Sequence, residues 1–196
     1  MRAVVLASGG LDSTLLARLA SEEGYEVFPL FVDYGQLAAQ TELSHCIAAM
    51  DKNGIRKPVV ADIKGFGELV PSGLTNSDLH VVDQAFTPGR NSLFLLSAAS
   101  YAATIEAQTI MIGLLDERFH LFPDQTKDYL EKAEKFLSLA VGQTISVKAP
   151  LMAFSKQEVI AMSKAKGIGQ TYSCHVGSEI PCGVCIACKE FNIGGE

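Results

Sequence analysis

The stretch of sequence that decides the fold reads Ser8-Gly9-Gly10-Leu11-Asp12-Ser13-Thr14. It joins the apolar run Arg2–Leu6 to the segment Ser13–Glu23, in which leucine and alanine recur at helical spacing. Two glycines allow a sharp turn close to a ligand, and the N-terminus of the following helix offers unpaired N–H groups and a positive dipole end. The stretch therefore predicts a phosphate-binding loop, although an ordinary capped helix after a glycine turn would begin in a similar way.

Strand-like and helix-like segments alternate along the rest of the chain. In chain order they are a strand at Glu26–Val32, a helix at Leu43–Met50, a strand at Pro58–Ile63, a helix at Asn91–Ala107, a strand at Thr109–Gly113, a helix at Tyr129–Ala140, a strand at Ile145–Ala149 and a helix at Ser155–Lys166. This alternation predicts an α/β fold with a Rossmann-like open parallel sheet. Residues 64–89 contain several glycines and few periodic apolar positions, so we expect a long loop there, either a lid or a plain surface excursion.

Length and composition narrow the class of protein. The chain has 196 residues, of which 48% are hydrophobic and 19% charged, and this suits one large domain. The formal net charge of −6 argues against a nucleic acid as the main partner, because proteins that follow a phosphate backbone are usually basic. No apolar run reaches the roughly 18 residues of a membrane span, so we expect no membrane partner and a cytoplasmic location.

The C-terminal part of the chain holds four of the five cysteines, namely Cys174, Cys182, Cys185 and Cys188. Four thiolates at such spacing can surround one tetrahedral Zn²⁺, with an iron–sulfur cluster or a redox pair as alternatives. We therefore predict a zinc-binding tail over residues 171–196, packed on a main domain over residues 1–170, with a structural metal. His175 is a competing ligand, and the fifth cysteine, Cys46, is expected to be a core residue.

The phosphate loop resembles that of one superfamily. It lacks the Gly-Lys-Ser or Gly-Lys-Thr ending of a P-loop, and it is not a Gly-x-Gly-x-x-Gly dinucleotide loop. It is similar instead to the loop of the N-type ATP pyrophosphatases. The resemblance implies attack on the α-phosphate of ATP, release of pyrophosphate and an adenylated substrate. We expect Mg²⁺ to accompany ATP, and ATP to be bound by Ala7, Ser8, Gly9, Gly10, Leu11, Asp12, Ser13, Thr14, Asp33, Arg90, Asn91 and Gly113.

Further strings along the chain narrow this resemblance. They are Asp33-Tyr34-Gly35-Gln36, Pro88-Gly89-Arg90-Asn91, Ile112-Gly113, Phe122-Pro123-Asp124, Ala149-Pro150-Leu151, Ser155-Lys156, Ser173-Cys174 and the cysteine motif over residues 181–188. Together they resemble the QueC family of 7-cyano-7-deazaguanine synthases. The resemblance implies a carbon–nitrogen ligase of queuosine biosynthesis that converts 7-carboxy-7-deazaguanine, ammonia and ATP into the nitrile, with pyrophosphate and AMP or ADP-type products. It also implies a homodimer.

Three residues are expected to act in the reaction itself. Asp12 is expected to help hold Mg²⁺ or the loop, Ser13 to offer a hydroxyl group, and Arg90 to neutralise phosphate charge. Asn91 would add a nearby hydrogen bond. For Arg90 and Asn91 the plainer roles of surface cation and helix cap stay open.

Some positions depart from the pattern of the QueC family, namely Leu37, Ala38, Leu115, Gln125 and Thr126. These departures leave the acceptor substrate open. One alternative is a diverged relative that transfers the adenylated deazapurine carboxylate to another amine, such as a protein. The others are a tRNA thiolase of the same superfamily and a non-catalytic, zinc-bearing nucleotide sensor.

Overall fold

Strands and helices alternate through residues 1–191, the part of the chain that this computed structural model describes. The strands are β1 (Arg2–Leu6), β2 (Glu26–Asp33), β3 (Val59–Asp62), β4 (Thr109–Met111) and β5 (Ser146–Lys148). The helices are α1 (Leu11–Glu22), α2 (Ala39–Lys52), α3 (Gly65–Leu69), α4 (Arg90–Thr104), α5 (Lys127–Val141), α6 (Lys156–Ala165) and α7 (Ile186–Glu190). Short 3-10 turns occur at Glu117–Phe119, Pro123–Gln125 and Pro150–Ala153.

The strands form one parallel sheet in the order β3-β2-β1-β4-β5. Strands β2 and β3 lie on one side of β1, and β4 and β5 lie on the other side. The helices that follow β1 and β4 pack on opposite faces of the sheet, so their loops separate at the carboxyl ends of the two strands. A crevice opens at such a switch point, which is where open α/β sheets bind their ligands.

Successive strand residues pack against helices on opposite faces of the sheet. Val5 and Phe31 belong to the core that α1, α2 and α6 cover, whereas Val4 and Leu30 belong to the core under α4 and α5. Burying one such side chain contributes about 1.5–3 kcal/mol to the free energy of unfolding. The helices on both faces of the sheet therefore hold the ends of β1 and β2 in place. Two-sided burial explains the continuous apolar sequence of β2, and it confirms the predicted α/β class.

Most predicted elements are confirmed, with shifts at their ends. Helix α1 begins at Leu11 instead of Ser13, because Gly10 already occupies the N-cap position. Helix α6 begins with a capping box, in which Ser155 Oγ accepts the N–H of Glu158 at 3.4 Å and Glu158 Oε2 accepts the N–H of Ser155 at 2.7 Å.

The prediction of a structureless loop over residues 64–89 is wrong at its start, where α3 forms. The N–H of Gly67 donates to the carbonyl oxygen of Tyr34 at 2.9 Å. This contact with the end of β2 holds a short helix that the glycine-rich sequence does not favour by itself.

The cysteine tail packs on the rest of the protein through a small cluster of its own. The buried members of this cluster are Ala38, Tyr172, Cys174, Cys185, Ala187 and Cys188. The N–H of Tyr172 donates to the carbonyl oxygen of Gly9 at 3.0 Å, so the tail is attached directly to the predicted phosphate loop. Residues 192–196 of the predicted tail lie outside the described residues, and the division at residue 170 stays a prediction. No helix within residues 1–191 is both long enough and apolar enough to cross a membrane.

Candidate active site and metal centre

A cavity of about 310 Å³ opens at the switch point between β1 and β4. Its walls come from the β1–α1 loop, the residues after β2, the first turns of α2, α4 and α6, and the cysteine tail. The predicted ATP-binding residues that line it are Ala7, Ser8, Gly10, Leu11, Asp12, Ser13, Arg90, Asn91 and Gly113. The structure thus brings the predicted loop and the first turn of α4 to one cavity, of a size that ligand sites usually have.

The β1–α1 loop is held in shape by its own hydroxyl groups. Ser13 Oγ donates to the carbonyl oxygen of Gly10 at 3.2 Å and accepts the N–H of Ser8 at 3.1 Å. Thr14 Oγ1 donates to the same carbonyl oxygen at 2.8 Å, and Thr14 is buried outside the cavity wall. Thr14 therefore stabilises the loop, whereas Ser8 and Ser13 line the cavity and remain candidates for phosphate contacts.

The two glycines of the loop have different structural roles. Gly9 has a φ of +81°, and a Cβ added there would lie 2.5 Å from the carbonyl oxygen of Glu42 and 2.7 Å from the nitrogen of Cys46. Gly10 has a φ of −77°, and its Cβ would meet Ser173 Oγ at an ordinary 3.4 Å. The sharp turn is therefore made at Gly9, where the lack of a side chain serves the packing of α2 against the loop.

We expect Gly9→Ala to lower the free energy of unfolding by about 3 kcal/mol or more, since it combines a left-handed backbone angle with contacts too close for a Cβ. Gly10→Ala is the matched control, and it should cost no more than about 1 kcal/mol, the usual cost of alanine at an N-cap. Urea unfolding of the two variants measures the difference. Equal stabilities would show that α2 does not depend on a glycine at position 9.

Asp12 is paired with a lysine that is remote in the sequence. Its two carboxylate oxygens accept hydrogen bonds from Lys156 Nζ at 3.0 and 2.9 Å. The same Nζ lies 3.2 Å from Glu190 Oε2 and 4.4 Å from the ring centre of Phe191. Only 13% of the Lys156 side chain is exposed, so its charge acts in a site largely shielded from bulk water. Lys156 thus connects the loop, α6 and the cysteine tail at the cavity wall. The sequence marks it only through the string Ser155-Lys156, to which no role was assigned.

Arg90 and Asn91 begin α4 at the cavity wall. Arg90 Nη1 lies 3.5 Å from the Tyr34 hydroxyl oxygen, and its buried Nε has no hydrogen-bond partner among residues 1–191. Asn91 is buried, and its Nδ2 donates to the carbonyl oxygen of Asp124 at 3.0 Å. The N-cap of α4 is Gly89, so Asn91 is not the helix cap.

Two other predicted ATP ligands follow strands. Gly113, after β4, lies against the loop, where a Cβ would stand 3.5 Å from the nitrogen of Ser13. Asp33, at the end of β2, lies outside the cavity wall. Its carboxylate accepts the N–H of Gly35 at 3.2 Å and lies 3.3 Å from Lys64 Nζ. The structure thus connects Asp33 to the loop after β3, and its role in ATP binding stays a prediction.

The part of the wall that follows β2 carries polar groups to which the sequence analysis assigned no role in the site. It contains Tyr34, Gln36 and Glu42, with His175 added from the tail. Burial raises the pKa of Glu42 to about 7. Burial, and after it the charge of Arg90, lowers the pKa of His175 to about 4, so this ring is neutral near pH 7. Tyr34 and Gln36 belong to the string that begins at Asp33, whereas nothing in the sequence marks Glu42, which directly precedes the helix predicted from Leu43.

The four cysteines of the tail come together as predicted. Their sulfur atoms all lie within 4.8 Å of one another. A tetrahedron with Zn–S bonds of about 2.3 Å has sulfur–sulfur edges of about 3.8 Å, and Cys182 Sγ lies 3.9 Å from Cys188 Sγ. Backbone N–H groups of Cys182, Cys185 and Cys188 donate to neighbouring cysteine sulfurs at 3.3–3.4 Å. The donor set fits a single thiolate-bound ion.

The fifth cysteine is a core residue, as expected. Cys46 is fully buried, and its Sγ donates to the carbonyl oxygen of Ala7 at 3.5 Å. Burial raises the pKa of this thiol to about 12, so Cys46 is a neutral packing group under the loop.

The sheet order, the glycine-serine loop and the cavity in front of it define a Rossmann-like PP-loop protein. A predicted tRNA methyltransferase subunit of Methanocaldococcus jannaschii has a TM-score of 0.59 and 17% identity, covering 84% of this chain and 76% of its own. The U34-tRNA thiolase NcsA of Methanococcus maripaludis, solved with its 4Fe–4S cluster, has a TM-score of 0.55 and 14% identity. The match covers 91% of this chain and 61% of the thiolase. At such identities the likeness shows the fold alone.

Sequence comparison goes further than the fold. The model of the family described as "Queuosine biosynthesis protein QueC" matches residues 2–194. The 7-cyano-7-deazaguanine synthase of Desulfitobacterium hafniense is 35% identical over an alignment of 202 positions, gaps included. This alignment covers 95% of this chain and 85% of that protein. The 7-cyano-7-deazaguanine synthase of Methanothermobacter thermautotrophicus is 30% identical over an alignment of 215 positions, gaps included. This alignment covers 100% of this chain and 96% of that protein. The chain belongs to the QueC family, and these relatives do not favour the amine-transferring or tRNA-thiolating alternatives.

Proposed function

We propose that this protein converts 7-carboxy-7-deazaguanine and ammonia into 7-cyano-7-deazaguanine at the expense of ATP, in queuosine biosynthesis. The observation that carries the proposal is the cavity at the switch point, where the phosphate loop and the polar groups after β2 meet. Loop N–H groups and the cations Lys156 and Arg90 suit phosphates, while Glu42 and its neighbours suit a base that carries N–H donors. The names of the family and of its relatives support the same substrate.

The proposed reaction uses two adenylations. A carboxylate oxygen of the substrate attacks the α-phosphorus of ATP, the bond from that phosphorus to the bridging oxygen breaks, and pyrophosphate leaves. Ammonia then attacks the acyl carbon, loses a proton and displaces AMP. The oxygen of the resulting amide attacks a second ATP in the same way. Loss of AMP with that oxygen, and of the two amide N–H protons, leaves the carbon–nitrogen triple bond.

The residues of this chain would act by binding and charge neutralisation. The substrate carboxylate is already ionised near pH 7, so its attack needs no general base, and positioning dominates. We propose that the loop N–H groups and the hydroxyls of Ser8 and Ser13 hold the phosphates, with Lys156 and Arg90 opposing their charge. Asp12 would fix Lys156 and hold the Mg²⁺ that accompanies ATP, an ion that neutralises phosphate charge when bound.

We also propose that the bound metal is a structural Zn²⁺. Four protein ligands close the site, so the ion would stabilise the tail and leave no open position for chemistry. The close approach of the four sulfurs supports one ion over a 4Fe–4S cluster, in which each cysteine binds a different iron. Because the tail supplies Ser173, His175 and Phe191 to the cavity wall, its folding also completes the active site.

A cytoplasmic homodimer completes the proposal. Thiols that must stay reduced to bind a metal suit a reducing compartment. On α5, the side chains of Phe136 and Leu139 are 60% and 84% exposed, and a second copy of the chain would cover such apolar residues.

The product assay tests the proposed function. Purified protein incubated with 7-carboxy-7-deazaguanine, ammonium and Mg·ATP should form the nitrile, detected by its mass, and omission of ammonium should prevent this. ATP consumption should require the deazapurine. A stalled amide as the final product, an adduct with another amine, or no consumption of ATP would contradict the assignment.

A further inference from the structure

Glu42 presents a carboxylate to the cavity from the first turn of α2. Its Oε2 accepts a hydrogen bond from Gln36 Nε2 at 3.0 Å. In the described part of the chain, no hydrogen bond or ion pair reaches its Oε1. Burial raises the pKa of this carboxyl to about 7, and the hydrogen bond from Gln36 and the charge of Arg90 oppose the rise only in part. Nothing in the chemistry of phosphate binding calls for such a group.

Gln36 fixes the direction of this carboxylate. Gln36 is buried, and its Oε1 accepts the N–H of Tyr34 at 3.0 Å, which determines the orientation of the amide. Its Nε2 then donates to the carbonyl oxygen of Val32 at 3.3 Å and to Glu42 Oε2. Both N–H bonds of the amide are therefore used, and Glu42 is held by one oxygen while the other stays available.

The neighbourhood of Glu42 contains two further polar atoms without partners. Arg90 Nε and His175 Nδ1 are buried, and neither has a hydrogen-bond partner in residues 1–191. A buried polar atom left unpaired is costly, so the presence of both atoms in one cavity points to a ligand that supplies the missing hydrogen bonds. The rings of Tyr34 and Phe94, with centroids 5.2 Å apart, add a flat apolar surface to the same wall.

We propose that Glu42 recognises the pyrimidine edge of the deazapurine substrate and is a specificity-determining residue; this rests on the proposed function. That edge carries a ring N–H beside an exocyclic amino group, two donors that point the same way and match one carboxylate. Adenine instead places one amino group beside a ring nitrogen with a lone pair, which a carboxylate repels. Glu42 therefore selects the acceptor base and excludes the base of ATP from this part of the cavity.

Substitution of Glu42 by its neutral isostere tests the inference. E42Q should raise the KM for 7-carboxy-7-deazaguanine about tenfold to hundredfold, as expected for a lost charge-assisted hydrogen bond, and leave the KM for ATP within about twofold. The parent should also bind the analogue that lacks the exocyclic amino group about tenfold more weakly than the substrate, and E42Q should lose this discrimination. E131Q, a Glu-to-Gln change at an exposed position of α5, is the matched control and should behave as the parent.

The outcomes distinguish a failure of the role proposed for Glu42 from a failure of the proposed nitrile-forming reaction. If the parent makes the nitrile and E42Q keeps the parental KM for the deazapurine, or raises both KM values equally, the role of Glu42 is overturned. Calorimetric titration with 7-carboxy-7-deazaguanine covers the case in which the parent makes no nitrile. Binding by the parent that is lost in E42Q then supports Glu42 while the reaction fails, and a parent that does not bind the compound overturns both.

Discussion

Asp12→Ala is expected to lower turnover by about 100-fold to 1,000-fold, the loss that follows removal of one preorganised group from an active site. The carboxylate of Asp12 holds Lys156 by two hydrogen bonds at the mouth of the phosphate loop. Without it, Glu190 is the one ion-pair partner that Lys156 keeps within residues 1–191, and the ammonium is expected to move away from the loop. Steady-state kinetics with saturating ATP and deazapurine measures the effect.

Asp128→Ala is the matched control, which tests whether the loss of turnover is specific to the cavity. Asp128 also lies in the first turn of a helix and also pairs with a lysine, Lys132, at 2.7 Å, but on the exposed face of α5. Asp128→Ala should keep parental turnover, and both variants should keep the parental circular dichroism and metal content. Turnover of Asp12→Ala above about a tenth of the parent would count against the role of this loop in phosphate chemistry.

Cys185→Ser is expected to lower the metal content and the solubility of the protein together. Cys185 is fully buried in the tail cluster, and a hydroxyl is a poor substitute for a thiolate in a tetrahedral site. The free energy of metal binding is also free energy of folding for a small metal-bound segment, so the tail should unfold when the metal is lost. Elemental analysis should find about one zinc per parent chain and much less in the variant.

Cys46 provides the control for this substitution. It is equally buried but lies under the phosphate loop, away from the other four thiols. Cys46→Ser should therefore keep the parental zinc content even if it loses some stability. Iron with visible absorbance near 400 nm would replace the zinc proposal by an iron–sulfur cluster, and an unchanged zinc content in Cys185→Ser would remove the four-thiolate site.

The sequence contains enough local information to predict the sheet, the loop and the metal ligands. The glycines of the loop sit between an apolar strand and an amphipathic helix, and the turn that they predict is present. The cysteines are close in sequence, so their spacing alone brings most of them together. In both cases the geometry depends on residues within one turn or one element, where backbone preferences act directly.

The contacts that complete the site could not be predicted in this way, because they join distant segments. Asp12 and Lys156 are separated by 144 residues, and only the packing of α6 beside α1 brings them together. Part of the requirement for glycine at position 9 comes from the approach of α2, which no local pattern reveals. Glu42 carries no local signal either, since its importance depends on the cavity into which α2 directs it.

The fate of oxygen from a labelled substrate tests the proposed chemistry most directly. 7-Carboxy-7-deazaguanine that carries ¹⁸O in its carboxylate is converted in the presence of ammonium and Mg·ATP, and the phosphorus products are analysed by mass. Attack on the α-phosphorus at each step predicts two AMP molecules per nitrile, each with one ¹⁸O, and unlabelled pyrophosphate. Label in inorganic phosphate, with ADP as the nucleotide product, would contradict it.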